Sequence, residues 1–344
     1  MKAVVIREHG DLDVLRFEER PVPEPRAGEV LVRFRATGLN NLDTWVRRGV
    51  PGHRFPLPIV PGSDGSGVVE ATGAGVDHVK AGDAVVLSPG VSCGFCPACL
   101  SGRDNLCRHF GILGESQDGT CAEFAAVPAR NALPKPDALS FEEAAAVPLV
   151  FLTAWHMLVA RAVLRAGEWV LIRAAGSGVG TAALQIAKML GATVIAEARS
   201  KDKCDRAKAL GADHVVDSSV QDAFEEVRRL TGKRGVDVVV EHVGEATWDS
   251  SVRSLARGGR LVTCGATTGA EARINLRVLF FKNLSLLGST MGGCAELMDA
   301  LSHVAAGRMR PVISRTLPFD QVAEGHRMLG ERTVFGKIVL VHGS

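Results

Sequence analysis

The sequence contains no tyrosine. Every mechanism in which a phenol donates or relays a proton is therefore excluded. Aromatic residues make up 5% of the chain, and 40 basic against 38 acidic residues leave a formal net charge of +2. So close a balance gives no electrostatic footprint for nucleic acid. Long apolar runs are also missing. The most apolar uncharged stretch, Ala144 to Ala160, is 17 residues long and is interrupted by Pro148, Thr153 and His156. It reads as a buried segment, since a membrane span needs about 20 apolar residues. Met1 to Glu8 alternates like a strand, and its apolar part is too short for a signal-peptide core. The cytoplasm is the expected compartment, and there clustered cysteines suggest metal before disulfide.

What is present points to two domains. At roughly 150 residues per domain, 344 residues suit about two, and a 46% hydrophobic composition can bury a sizeable core. The first 130 residues or so carry short β-branched runs, Val30 to Ala36 and Val68 to Ala71, separated by Gly and Pro turns. From about residue 140 the texture changes to alternation. Strands are expected at Trp169 to Arg173, Thr193 to Ala196, His214 to Val216, Val236 to Glu241, Arg260 to Cys264 and Leu284 to Leu287. Helices are expected at Thr181 to Leu190 and Lys201 to Leu210. Strands that alternate with helices imply an α/β fold with a parallel sheet.

Two motifs carry chemistry. Cys93, Cys96, Cys99 and Cys107 are spaced C-x2-C-x2-C-x7-C. Four thiolates on one loop satisfy tetrahedral zinc and leave no open position, so such a site is structural. The last spacing and the following Arg108 do not suit a ferredoxin-type iron–sulfur run. The bland alternative is four unrelated thiols; Cys121, Cys204, Cys264 and Cys294 show no ligand spacing and read as small apolar residues. The second motif is Ala174 to Gly180, AAGSGVG, between an expected strand and an expected helix. Gly176, Ser177, Gly178, Val179 and Gly180 are candidate pyrophosphate binders, because glycines let the backbone approach and a helix start offers N–H groups. About 20 residues on, an acid would take a ribose 2′-hydroxyl and an arginine a 2′-phosphate. Glu197, Arg199, Ser200 and Lys203 supply both charges, so NADH and NADPH both stay open.

These motifs, in this order, resemble the medium-chain dehydrogenase/reductase superfamily of zinc alcohol dehydrogenases and quinone oxidoreductases. The resemblance extends over the whole chain and includes Pro61 to Val69, Phe141 to Trp155 and the closing Gly336 to Leu340. It implies a GroES-like β-rich domain (residues 1–150 and 290–344, with a zinc lobe at about 90–110) and a Rossmann doubly wound parallel-sheet domain (residues 151–289). It also implies a homodimer or homotetramer. Thr153, His242, Cys264, Gly265, Ala266, Ser289 and Thr290 match segments that hold the nicotinamide.

Family alcohol dehydrogenases bind a catalytic zinc through Cys, His and Cys. Here those positions are Asn40, Ser63 and Leu149, with Asp64 beside them in place of Glu, and Leu42 and Trp45 stand where the proton relay would be. Without a Lewis acid, alcohol oxidation loses several kcal/mol of charge stabilisation. The resemblance then narrows to metal-free hydride chemistry: reduction by NAD(P)H of the activated C=C of an α,β-unsaturated carbonyl. Asn40 is a candidate donor to the carbonyl or orienter of the nicotinamide, and Asp43 shapes the site. Arg47, Arg48, His53 and Arg54 are candidate contacts for the phosphates of an acyl-CoA substrate, or else a solvated charged face. 3,3-Dimethylacrylyl-CoA as the acyl-CoA is implied by the resemblance and by no motif of these residues. Three other readings stand beside this one: a quinone oxidoreductase, a zinc alcohol dehydrogenase using other ligands, and a non-catalytic binding protein that kept the fold.

Overall fold

Residues 1–343 are described by a computed structural model, and they fall into two units, 1–149 with 293–343, and 150–292. The sequence expectation had placed the boundaries at 150/151 and 289/290. In chain order, the first segment contributes β1 (Glu29–Leu39), α1 (Asn41–Arg48), β2 (Asp64–Thr72), β3 (Ala84–Leu87), β4 (Phe124–Pro128) and β5 (Ala132–Pro134). The second unit contributes β6 (Trp169–Ile172), α2 (Gly178–Met189), β7 (Thr193–Ala198), α3 (Lys201–Ala209), β8 (His214–Asp217), β9 (Val236–Glu241), β10 (Leu255–Thr263), α4 (Leu276–Phe281) and β11 (Ser285–Gly288). The last segment returns β12 (Ile313–Pro318), α5 (Val322–Glu331) and β13 (Lys337–Val341) to the first unit.

The first unit is built on a sheet of order β12-β13-β1-β2-β3-β5, with β4 also paired to β1. Its strands alternate buried and half-buried residues around Val30, Val32, Phe34, Val69, Val85 and Leu87. Two registers in this sheet position the site. Gly38 of β1 lies opposite Asp64 of β2, and Leu39 lies opposite Ile338 of β13, both antiparallel. One end of β1 therefore meets the starts of β2 and β13. Gly38 is required there, because a Cβ would sit 2.2 Å from the Ala145 carbonyl oxygen.

The second unit is a six-stranded parallel sheet of order β8-β7-β6-β9-β10-β11. Its strands read as near-continuous apolar runs such as WVLI and VDVVVE, as expected for a sheet covered on both faces. The order reverses at β6, the topological switch point where doubly wound sheets bind ligands at their carboxyl ends. Ala144 to Ala160 is mostly buried and helical, and no helix among the described residues is long and apolar enough to cross a membrane.

Candidate functional site

Asn40 follows β1 and caps α1 from an extended backbone, φ −131° and ψ 159°. Its backbone N–H donates to Asp43 Oδ2 at 2.7 Å, an interaction that holds the first turn of α1 in place. Its carboxamide is enclosed. Oδ1 accepts from Lys337 Nζ at 2.5 Å, while Nδ2 donates to Asp64 Oδ2 at 3.0 Å and, over a longer 3.3 Å, to the Gly38 carbonyl. Lys337 also pairs with Asp64 Oδ2 at 2.9 Å, and Asp64 Oδ1 accepts the Leu149 backbone N–H at 2.8 Å. Asn40, Asp64 and Lys337 are all buried, and Asp43 is fully so.

Burial pushes the Asp43 carboxyl up to about 7; the Asn40 N–H and the Lys337 charge pull it only partway back. The thiol of buried Cys121 is pushed up by the same cause and by Asp43 itself. The donor set does not fit a divalent metal. An ammonium is inserted between the Asn40 oxygen and the Asp64 carboxylate, Leu149 offers only its backbone, and Ser63 contributes a single buried hydroxyl with no hydrogen-bond partner among the described residues.

Lys337 escaped the sequence reading. It opens a strand reading KIVLV, and its only signal was a charge at a position that the rest of the strand predicts to be buried. Arg47, by contrast, must be withdrawn as a phosphate contact. It is fully buried, and its Nη1 donates to the Gly10 carbonyl at 3.0 Å and pairs with Asp11 at 3.1 Å. The apolar face of α1 that buries Val46 carries Arg47 inward with it. Arg48, His53 and Arg54 are exposed, and His53 lies 3.3 Å from Glu115.

The dinucleotide turn follows β6. Ala174 takes a left-handed backbone, φ 44°, and its N–H donates to Glu197 Oε2 at 3.0 Å. Ser177 caps α2, its Oγ accepting from Gly180 N at 2.9 Å and lying 2.9 Å from His242 Nε2. Parallel pairing of Ile172 with Val240 brings these two ends together. Burial pushes the His242 pKa down, so this imidazole is held neutral against Ser177. Gly180 is required by space, because a Cβ would meet the Ala174 carbonyl oxygen at 2.5 Å. The N–H groups of Gly178 and Val179 open the helix and are the ones a helix leaves for an anion.

Glu197 is buried, with both oxygens engaged, one by Ala174 N and the other by the Ser218 hydroxyl. Arg199 is exposed; Ser200 caps α3 through Lys203 N, and burial pushes the Lys203 pKa down. At the far ends of β10 and β11, Thr263 donates to the Gly265 carbonyl at 3.2 Å and Ser289 N donates to the Thr263 carbonyl at 2.9 Å. This brings the Cys264–Ala266 turn and Ser289–Thr290 to neighbouring strand ends. Thr153 lies 3.9 Å from Met291 Sδ in the same unit.

Cys93, Cys96, Cys99 and Cys107 converge, with sulfur–sulfur distances of 3.5, 3.6 and 3.8 Å among them. A zinc tetrahedron with bonds of about 2.3 Å has edges of about 3.8 Å, so the four thiols fit that metal as they stand.

The comparisons agree with both halves of the architecture. The alcohol dehydrogenase GroES-like domain matches residues 26–137, and the zinc-binding dehydrogenase domain matches residues 178–306. The chain is 34% identical to an alcohol dehydrogenase of Geobacillus stearothermophilus over 342 residues, covering 99% of each. The chain belongs to the medium-chain dehydrogenase/reductase superfamily. It is an NAD(P)-dependent oxidoreductase with the GroES-like and Rossmann-like domains of that superfamily. Among solved structures, an NAD-dependent alcohol dehydrogenase superposes with a TM-score of 0.96 at 51% identity, with 100% of both chains covered. The crotonyl-CoA carboxylase/reductase AntE, solved with NADP, gives a TM-score of 0.91 at 26% identity over 99% of this chain and 94% of its own.

Proposed function

We propose that this superfamily member is a metal-independent reductase of the activated C=C bond of an α,β-unsaturated carbonyl, with an enoyl-CoA thioester such as 3,3-dimethylacrylyl-CoA as substrate. The observation that carries the reading is the enclosed Lys337–Asn40–Asp64 group, in which Asn40 stands where the resemblance would otherwise have a metal ligand. Such a group polarises by hydrogen bond, and a conjugated carbonyl needs no more than that to accept the charge that hydride addition develops on its oxygen.

The Gly176–Gly180 turn at the start of α2 would hold the cofactor, which would supply hydride. Hydride addition at the substrate β-carbon moves the C=C electrons onto the carbonyl oxygen as an enolate. Asn40 is the proposed donor. Its Gly38 contact, at 3.3 Å, is the longer of its two N–H bonds and the one a substrate oxygen would replace. Asp43 holds the Asn40 backbone. The enolate collapses with protonation of the α-carbon by solvent or another non-phenolic group, since the chain has no tyrosine. Arg48 and Arg54 are the exposed cations of this segment for the CoA phosphates; Arg47 is not among them.

For the cofactor, the reading is NADPH. The acid expected to take a ribose hydroxyl, Glu197, already accepts two hydrogen bonds, whereas the exposed Arg199 follows directly at the end of β7. Zinc in the four-cysteine lobe is structural, and the chain forms a homo-oligomer.

The test is a spectrophotometric panel of NADPH and NADH oxidation with enones, quinones and enoyl-CoAs. The largest kcat/KM is expected for an enoyl-CoA with NADPH. A quinone with a larger kcat/KM would replace this reading by quinone reduction.

A further inference from the structure

A carboxamide is nearly symmetric in shape, and its oxygen and nitrogen ends exchange on a half-turn of the side chain. Which end faces a ligand is decided by the neighbours. At Asn40 those neighbours are charged and buried. The Lys337 ammonium lies 2.5 Å from the oxygen, and the Asp64 carboxylate lies 3.0 Å from the nitrogen. Turning the amide would set its N–H groups against the ammonium and its oxygen against the carboxylate. Two attractions would become two repulsions at hydrogen-bond distance in a water-poor site.

Lys337 reaches this place by construction of the backbone. Gly336 turns the chain with φ +96° where a Cβ would sit 2.2 Å from the Val312 carbonyl oxygen, and pairing of Ile338 with Leu39 then brings the lysine level with Asn40.

We propose that Lys337 is a positioning residue that fixes the polarity of Asn40, holding the amide oxygen inward so that the N–H end is presented as a donor. The assignment rests on the reading of Asn40 as donor to the substrate carbonyl. Lys337 acts through Asn40 and does not itself touch the substrate. It is also the cation of this group, in which Asp43 and Asp64 are the acids and the Cys121 thiol is held neutral by burial and by Asp43.

A double-mutant cycle on the zinc-loaded enzyme tests this, with NADPH and crotonyl-CoA as substrates. Lys337→Met lowers kcat by about tenfold or more and leaves the KM for NADPH unchanged, and Lys337→Arg recovers most of the loss. In an Asn40→Ala background, Lys337→Met costs less than about twofold. Losses that multiply, or a KM for NADPH that rises with the loss of kcat, overturn the proposal. If Lys337→Met does not fold, Lys337→Gln is carried through the same cycle and read by the same criteria.

A second readout needs no turnover. The infrared carbonyl band of protonated Asp43, identified by its absence in Asp43→Asn, titrates at higher pH in Lys337→Met. The shift is upward because the Lys337 charge lowers the Asp43 pKa, whereas Asp64 raises it and Cys121 carries no charge. An unchanged titration overturns the placement of Lys337. Wild-type enzyme that reduces no enoyl-CoA overturns the reductase reading instead, and the infrared titration still decides the placement.

Discussion

Asp43 destabilises the folded chain at neutral pH, and the size of that effect follows from its burial. Its side chain is fully enclosed; Oδ2 accepts the Asn40 N–H, and Oδ1 has no hydrogen-bond partner of good geometry among the described residues. The folded-state pKa of about 7 stands above the ordinary value of 3.8, so the native chain retains a proton that the unfolded chain has released. The favourable side of this linkage is complete below about pH 4 and is lost as pH rises through about 7. At about 1.36 kcal/mol per unit the full effect is about 4 kcal/mol, of which about 2 to 3 kcal/mol falls between about pH 5 and about pH 8.

Asp43→Asn keeps an acceptor for the Asn40 N–H and removes the titration. Urea unfolding of both proteins across that pH range is the assay, and the difference between the two stabilities is the quantity that matters. His326 and His342, held neutral by burial with pKa values pushed down to about 3 and about 4, titrate in both proteins and cancel in the difference. The variant gains on the wild type by about 2 to 3 kcal/mol as pH rises from about 5 to about 8. A difference that stays flat with pH would refute the argument from burial.

Three further outcomes are expected. Cys96→Ser removes a corner of the sulfur tetrahedron, so zinc measured by atomic absorption falls from one per chain towards none and the melting temperature drops by several degrees. Arg199→Ala removes the proposed 2′-phosphate contact, raising the KM for NADPH by about 10- to 100-fold while the KM for NADH changes little, as steady-state kinetics will show. Leu276, Phe280 and Phe281 expose large apolar surface on α4, next in sequence to the unpaired edge strand β11. Phe281→Asp is therefore expected to shift the protein to a smaller species in light scattering.

Periodicity made much of the second unit readable from residues alone, because its apolar strands and helices alternate from β6 to β8. The helices Ala223–Leu230 and Glu245–Ser254 that follow were not read from the sequence. The four-cysteine lobe was equally plain, since metal ligands must lie close in space and here also lie close in sequence. The Asn40 site was legible only in part. Asn40, Asp43 and Asp64 are within 25 residues of one another, but Lys337 lies nearly 300 residues further on, and only the pairing of β13 with β1 joins them. A lysine at the head of a short strand reads as a surface charge until that register is known. Arg47 was misplaced for the opposite reason. Arg47 and Arg48 look alike in the sequence, and the way α1 packs decides that one is buried on Asp11 while the other is exposed. Glu197 and Arg199 likewise differ by orientation, the acid turned into the Ala174 turn and the arginine outward.

The most direct test of a metal-independent reductase is the zinc content of the fully active enzyme, measured beside its activity on enoyl-CoA and on alcohols. One zinc per chain, with enoyl-CoA reduction at full rate and no alcohol oxidation, is the predicted result. A second zinc per chain whose removal abolishes activity, together with alcohol oxidation, would contradict it.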